Sequence, residues 1–190
     1  VLGGRKGGMP ELVFEYILKK HGIDPSADLS IDQSISFGLT AAAFPSSDAD
    51  YTVEFDPYAT ALELEENGYV AASLGEDSGY VPYTSYSAKK SYLEAHPDVI
   101  QKFTNAIQKG LDYVNSHTPE EIAEIIQPQF KENDLETLTR IVDRYQSQDT
   151  WKGDTVFKEE SFDLLQNILE EGGELPARVP YEDLVTTCLL

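Results

Sequence analysis

The sequence predicts an α/β fold whose first half alternates strand and helix and whose second half is almost wholly helical. Three observations carry this. Strand-like and helix-like stretches alternate from Leu29 to Leu74, the rhythm of a mostly parallel sheet covered by helices. A glycine-rich basic loop, Gly3-Gly4-Arg5-Lys6-Gly7-Gly8-Met9, runs straight into a helix. From Asp98 onward, apolar residues recur at spacings of three and four.

In chain order, Val1-Leu2 is a short apolar start. Pro10 and Glu11 make a good first turn for a helix over Leu12 to Lys20, with Val13 and Ile17 four residues apart, and His21-Gly22 ends it. Leu29, Ile31, Gln33 and Ile35 alternate with polar neighbours, which predicts a half-buried strand. Gly38 to Phe44 reads as a short Ala-rich helix closed by Pro45-Ser46-Ser47-Asp48. Ala49 to Phe55 is a second strand, and Asp56-Pro57 opens a helix that ends at Asn67-Gly68. Tyr69 to Leu74 is a third strand, and Gly75 to Pro82 is a loop and the expected lobe boundary. Tyr83 to Ser87 is extended. Asp98 to Val114 carries Ile100, Phe103, Ile107, Leu111 and Val114 on one face. Thr118-Pro119-Glu120-Glu121 is a capping-box start, and Asn133 to Tyr145 and Glu159 to Glu171 are two further helices. These helices need a surface to cover.

The 190 residues carry 34 Asp and Glu against 14 Lys and Arg, a formal net charge of −20. Nucleic-acid phosphates and anionic membrane surfaces would be repelled, and no basic stripe offsets this. With Cys188 as the single cysteine, no internal disulfide can form. No apolar run approaches the ~20 residues a membrane span needs.

Catalytic patterns are absent. His21, His96 and His117 are scattered near helix ends, where a histidine commonly satisfies terminal carbonyls. No Cys/His cluster suggests zinc, and Asp48-Ala49-Asp50 is too short for a calcium loop. Cys188, in an apolar stretch, reads as buried and not nucleophilic. The opening loop lacks the Lys-Ser/Thr ending of a nucleotide P-loop and the spacing of a dinucleotide fingerprint. No catalytic residue, metal site or cofactor is predicted.

Binding has more to stand on. Arg5, Lys6, Gly7, Gly8 and Met9, with Glu11 just inside the helix, form a cationic, backbone-rich loop suited to an anion or a polar head group. The same residues fit an ordinary strand-to-helix turn with two solvated cations. Ser34, Ser36, Phe37 and Thr40 occupy the next strand-to-helix turn, and Glu54, Phe55, Asp56, Pro57 and Tyr58 the one after. In an open α/β sheet the ligand crevice lies at the carboxyl ends of the strands, so all three turns would converge there, with Phe37 and Tyr58 available for stacking.

Several segments occur in a familiar order. They are Gly3 to Glu11, Phe37-Gly38-Leu39-Thr40-Ala41-Ala42-Ala43-Phe44, Ala49-Asp50-Tyr51, Phe55-Asp56-Pro57-Tyr58-Ala59, Ala95-His96-Pro97-Asp98-Val99-Ile100 and Val179-Pro180-Tyr181-Glu182-Asp183-Leu184-Val185. Together they resemble the solute-binding proteins of ABC importers, of the nitrate/sulfonate/taurine and thiamine-pyrimidine-precursor type. The resemblance covers nearly the whole chain.

It implies a type II periplasmic-binding-protein-like fold. Residues 1–82 would be one complete inserted α/β lobe forming a wall of the ligand cleft. Residues 83–190 would return to the first lobe as its C-terminal helical part, whose N-terminal half is absent, so that the start at Val1 marks a truncation. The loop from Arg5 to Met9 matches the family's ligand-facing turn, and Phe55-Asp56-Pro57 a turn often written with Glu or Asp before Pro. The implied function is extracytoplasmic capture of a small polar or anionic nutrient (a sulfonate, nitrate or a pyrimidine/thiamine precursor), without chemistry, followed by closure about a hinge near Gly79 to Tyr86. Delivery would be to a membrane permease and its ATPase, from the periplasm or from a lipid anchor. A truncated lobe would favour dimers or segment exchange. The backbone-rich loop suits a carboxylate, sulfonate or phosphate, while Glu54 and Asp56 equally suit an amine or heterocycle N–H. The family also contains a fungal pyrimidine synthase that needs iron, an active-site His and a Cys-rich motif; no matching set is present here. A small-molecule enzyme on the same scaffold and a ligand-free interaction domain are the alternatives.

Overall fold

The N-terminal tripeptide forms the middle of a three-segment parallel arrangement. Leu2 bridges Asp32 on one side and Thr52 on the other, both in parallel. The Leu2 N–H donates to the Tyr51 carbonyl at 2.8 Å, and the Leu2 carbonyl accepts from Val53 N–H at 3.0 Å. On the other flank, Gly3 N–H donates to Asp32 O at 3.0 Å and Asp32 N–H to Val1 O at 2.9 Å. In space the segments around Asp32, Leu2 and Thr52 therefore lie in the order second, first, third. Their buried anchors are Leu2 and Val53. The computed structural model describes residues 1–187, so Cys188 lies outside them.

The helices are α1 (Met9–Lys20), α2 (Thr40–Ala43), α3 (Tyr58–Leu64), α4 (Leu74–Ser78), α5 (Lys90–Ala95), α6 (Pro97–Val114), α7 (Pro119–Ile126), α8 (Leu135–Ser147), α9 (Glu159–Glu171) and α10 (Tyr181–Leu184). Short 3₁₀ turns flank α2 at Phe37–Leu39 and Phe44–Ser46 and follow α7 at Gln127–Gln129.

The fold class is matched at its coarse level only. The parallel bridges and covering helices suit an α/β binding-protein fold in general, but no extended strand forms among the described residues. Leu29 to Ile35 was expected as a strand, and only Asp32 is bridged. Its alternation survives in burial, with Leu29, Ile31, Gln33 and Ile35 half-buried and their neighbours exposed. Ala49 to Phe55 likewise contributes a single bridge, at Thr52. Tyr69 to Leu74, the third expected strand, makes no β-bridge among the described residues; Tyr69 is 84% exposed, Val70 N–H donates to Glu63 Oε1 at 2.9 Å and Leu74 opens a helix. An extended segment becomes a strand only when another backbone edge lies beside it, and no described segment provides one there. The expected loop at Gly75 to Pro82 is partly helical. Leu74–Ser78 forms one turn with Glu76 and Asp77 at its start, and Gly79 at φ +82° ends it.

Two units divide the chain. The first comprises Val1–Tyr80 and Gln166–Ala177, the second Val81–Leu165 and the chain from Arg178 onward, so α9 contributes residues to both. In the first unit α1 buries Pro10, Leu12, Val13 and Ile17. Gly172 leaves room for Leu12, whose Cδ2 would stand 2.4 Å from a Cβ at that position. In the second unit α7 packs on α8 through Ile122, Ala123, Leu138 and Val142. Phe162 meets Phe157 and Tyr181 edge-on, at ring centroid distances of 6.1 and 5.8 Å. The 18-residue α6 carries its apolar stripe without a buried residue, and Val99 and Phe103 are each 44% exposed.

Candidate ligand-binding site

The parallel bridges fix which way the three segments run, and all three leave at one edge. From that edge emerge Gly4 to Gly8, Ser34 to Phe37 and Glu54 to Tyr58. The connection from the first segment leads to one flank and that from the second segment crosses back to the other, so the carboxyl end of the central segment is where the connections diverge and a crevice can open.

Side chains tie the turns together. The Gln33 amide Nε2 donates to the Gly4 carbonyl at 3.3 Å and to Glu11 Oε1 at 2.7 Å, joining the first turn to the second. The Phe37 and Phe55 rings meet edge to face at 5.2 Å, joining the second turn to the third. Phe55 is 39% and Tyr58 48% exposed, which leaves aromatic surface at this edge.

Within the first turn the glycines have steric reasons to be glycine. A Cβ on Gly3 would stand 2.5 Å from Ile31 Cγ2, and one on Gly4 would stand 2.7 Å from Pro10 Cβ. Gly7 has φ +66°, a left-handed conformation that favours glycine. The Gly7 N–H donates to the Glu11 carboxylate, and Gly8 N–H to Arg5 O at 3.0 Å. Arg5 and Lys6 are exposed, and neither side chain has an ion pair or hydrogen bond among the described residues.

The other expected residues divide by what they already hold. Thr40 is fully buried and its hydroxyl donates to the Phe37 carbonyl at 2.8 Å, so it shapes the second turn from beneath. Ser36 is exposed and its carbonyl accepts from Leu39 N–H at 2.7 Å. Glu54 Oε1 accepts from the Thr52 hydroxyl at 2.7 Å. Asp56 Oδ1 accepts from the Thr60 N–H at 3.1 Å and its hydroxyl at 2.7 Å, which fixes the start of α3 after the cis Asp56–Pro57 bond. Met9 begins α1 and is half-buried. Asp32, in the flanking segment, has its carboxyl held below the usual range by the Ser34 hydroxyl and then by the Ser34 N–H.

Gln33 was not singled out as a site residue from sequence. Its signal was a polar residue on the inward face of Leu29, Ile31 and Ile35. On the flank of α1 a groove of about 400 Å³ is lined in part by Glu11, Glu15, Lys19, Asp24 and Gln33. Its charges are engaged locally: Lys19 pairs with Glu15 at 3.3 Å, and Asp24 accepts from Ser26 and Ala27. Among the described residues, no group of His, Cys, Asp and Glu is arranged to hold a metal ion.

The model of the NMT1-like family matches residues 4–128. A protein of Bacillus subtilis (strain 168) named "Putative binding protein YtlA" is 41% identical over 184 residues, which is 97% of this chain and 55% of that protein. The chain therefore spans about half the length of this relative. No solved structure matches it. The family match takes in well over half the chain and includes Arg5 to Tyr58, the residues of all three turns: the chain belongs to the NMT1-like family.

Proposed function

We propose that this chain is part of the solute-binding component of an ABC importer, with the three turns forming one wall of its ligand cleft. The observation that carries the reading is the joining of those turns by Gln33 and by the Phe37–Phe55 pair, which sets backbone, cations and aromatic surface at one edge. Membership of the NMT1-like family and the likeness to a protein named for binding support it. The ligand is a small polar or anionic nutrient of the sulfonate, nitrate or pyrimidine/thiamine-precursor class, and the protein performs no chemistry on it. Residues 1–82 belong to the lobe that bears this wall, and the facing wall comes from chain beyond these 190 residues. Capture takes place outside the cytoplasm, on a protein that is free in the periplasm or lipid-anchored. Ligand contacts to both walls shift the protein towards a closed form that docks on a permease with its ATPase.

Arg5 and Lys6 are the exposed cations of the first turn and would meet an anionic group on the ligand. Thermal-shift screening of the full-length protein against alkyl sulfonates, nitrate and pyrimidines should find a stabilising compound. For an anionic hit, Arg5→Ala should weaken binding by about tenfold or more, the effect of losing one charge-assisted bond. Unchanged affinity would remove Arg5 from the site, and the absence of any stabilising solute would count against the binding reading itself.

A further inference from the structure

The glycine-rich loop looks from its sequence like a cradle for an external anion, yet the amides of Gly7 and Gly8 are already engaged. Gly8 N–H bonds Arg5 O, Leu12 N–H bonds Gly8 O at 3.1 Å, and Pro10 has no N–H. The Gly7 N–H, at the tip of the loop, is taken by a carboxylate from the protein's own helix, that of Glu11. The other oxygen of that carboxylate accepts from Gln33, whose second amide hydrogen goes to the Gly4 carbonyl. Both hydrogens of the Gln33 amide therefore point at acceptors, and the reverse orientation would set its oxygen against two other oxygens.

We propose that Glu11 and Gln33 are positioning residues of the ligand-facing loop: Glu11 fills from within the anion place at the Gly7 amide, and Gln33 locks that carboxylate to Gly4. The consequence is a specificity rule. A ligand's anionic group meets the Arg5 and Lys6 side chains and not the Gly7 amide, and Glu11 does not touch the ligand. In calling the loop ligand-facing the proposal rests on the solute-binding reading, but its test needs no nutrient ligand.

The donor–acceptor pattern makes the test specific. Glu11→Gln can still accept from Gly7 but turns an NH₂ towards the NH₂ of Gln33. Gln33→Glu sets two carboxylates together. The exchanged pair, Glu11→Gln with Gln33→Glu, restores one donor facing one acceptor between the two side chains, while its carboxylate oxygen now faces the Gly4 carbonyl. The readout is hydrogen exchange of the Gly7 amide by NMR in the full chain without ligand, with amides of α7 and α8 as the control for an intact fold. Each single variant should speed Gly7 exchange by about tenfold or more, the loss of one bond to a charged group. The exchanged pair should recover part of that protection and exceed either single variant. Inorganic sulfate should then slow Gly7 exchange in Glu11→Ala and leave the native protein unaffected. Gly7 exchange that ignores both single variants, an exchanged pair no better than the worse single variant, or sulfate protection of Gly7 in the native protein would each overturn the assignment. None of these results depends on which solute is carried, so the solute-binding reading stands or falls separately.

Discussion

Glycines in this chain have opposite requirements at different positions, and substitution separates them. At Gly4 a Cβ would press on the rigid Pro10 ring and come within 3.3 Å of the Glu11 backbone nitrogen. Gly4→Ala should therefore cost about 1–3 kcal/mol, as overpacking does elsewhere. At Gly172 the obstacle is the far end of Leu12, which can swing aside, so Gly172→Ala should cost less. Gly110, inside α6, has nothing within 4 Å of a built Cβ, and Gly110→Ala should stabilise by about 0.5–1 kcal/mol. Urea midpoints of the three variants check the order; a Gly4→Ala variant as stable as Gly110→Ala would refute the packing account. Gly4 and its neighbour Gly3 also show the limit of a motif. The glycine-rich loop was legible as a special backbone, but Gly3 and Gly4 serve the close approach of Ile31 and Pro10, partners that sequence does not name.

At the scale of elements, the longer helices were readable because their signals are local, while the short α4, α5 and α10 carry too few residues to show a period. Glu159 to Glu171 matches α9 residue for residue. The predicted capping box is present in full, with Thr118 N–H donating to Glu121 Oε2 at 3.0 Å and Glu121 N–H to Thr118 Oγ1 at 3.3 Å. Thr118→Ala should lower stability by about 1 kcal/mol, read as a shift in thermal midpoint. Asp134 caps α8, and the Thr137 backbone N–H, then the Thr137 hydroxyl, hold its carboxyl below the usual value. The unfolded chain restores the ordinary value, so the cap contributes fully above the usual carboxylate range and fades as pH falls through the lowered folded value. Asp134→Asn keeps a good cap without that dependence. The stability gap between native and Asp134→Asn proteins should narrow or reverse in acid, and a gap constant with pH would refute the ionised cap. The strands were less readable for the converse reason. Leu29 to Ile35 has the alternation of a strand and its burial pattern, yet one residue alone is bridged, since pairing depends on backbone supplied by distant residues.

For the whole molecule, charge is the strongest single property. A net −20 on 190 residues opposes compaction by self-repulsion, and salt screens it. Raising sodium chloride from low to physiological strength should increase the thermal midpoint by a few degrees. A flat or falling response would mean that local pairs such as Lys19–Glu15 and Arg140–Glu136 outweigh the repulsion. No described helix is long and apolar enough to cross a membrane. The amphipathic α6 adds a second whole-molecule feature, an apolar stripe none of whose residues is buried.

By itself the sequence determined the acidic character, the longer helices with the Thr118 capping box, and the three polar turns around Arg5, Phe37 and Asp56, because charge, periodicity and capping act over a few neighbouring residues. Tertiary structure alone decided that Leu2 lies between Asp32 and Thr52, that Gln33 joins the first two turns, that Thr40 faces inward, and that Glu11 answers the loop's own amide. Each of these is a contact across some distance in the chain or a choice among hydrogen-bond partners, and only the folded backbone sets which donor reaches which acceptor.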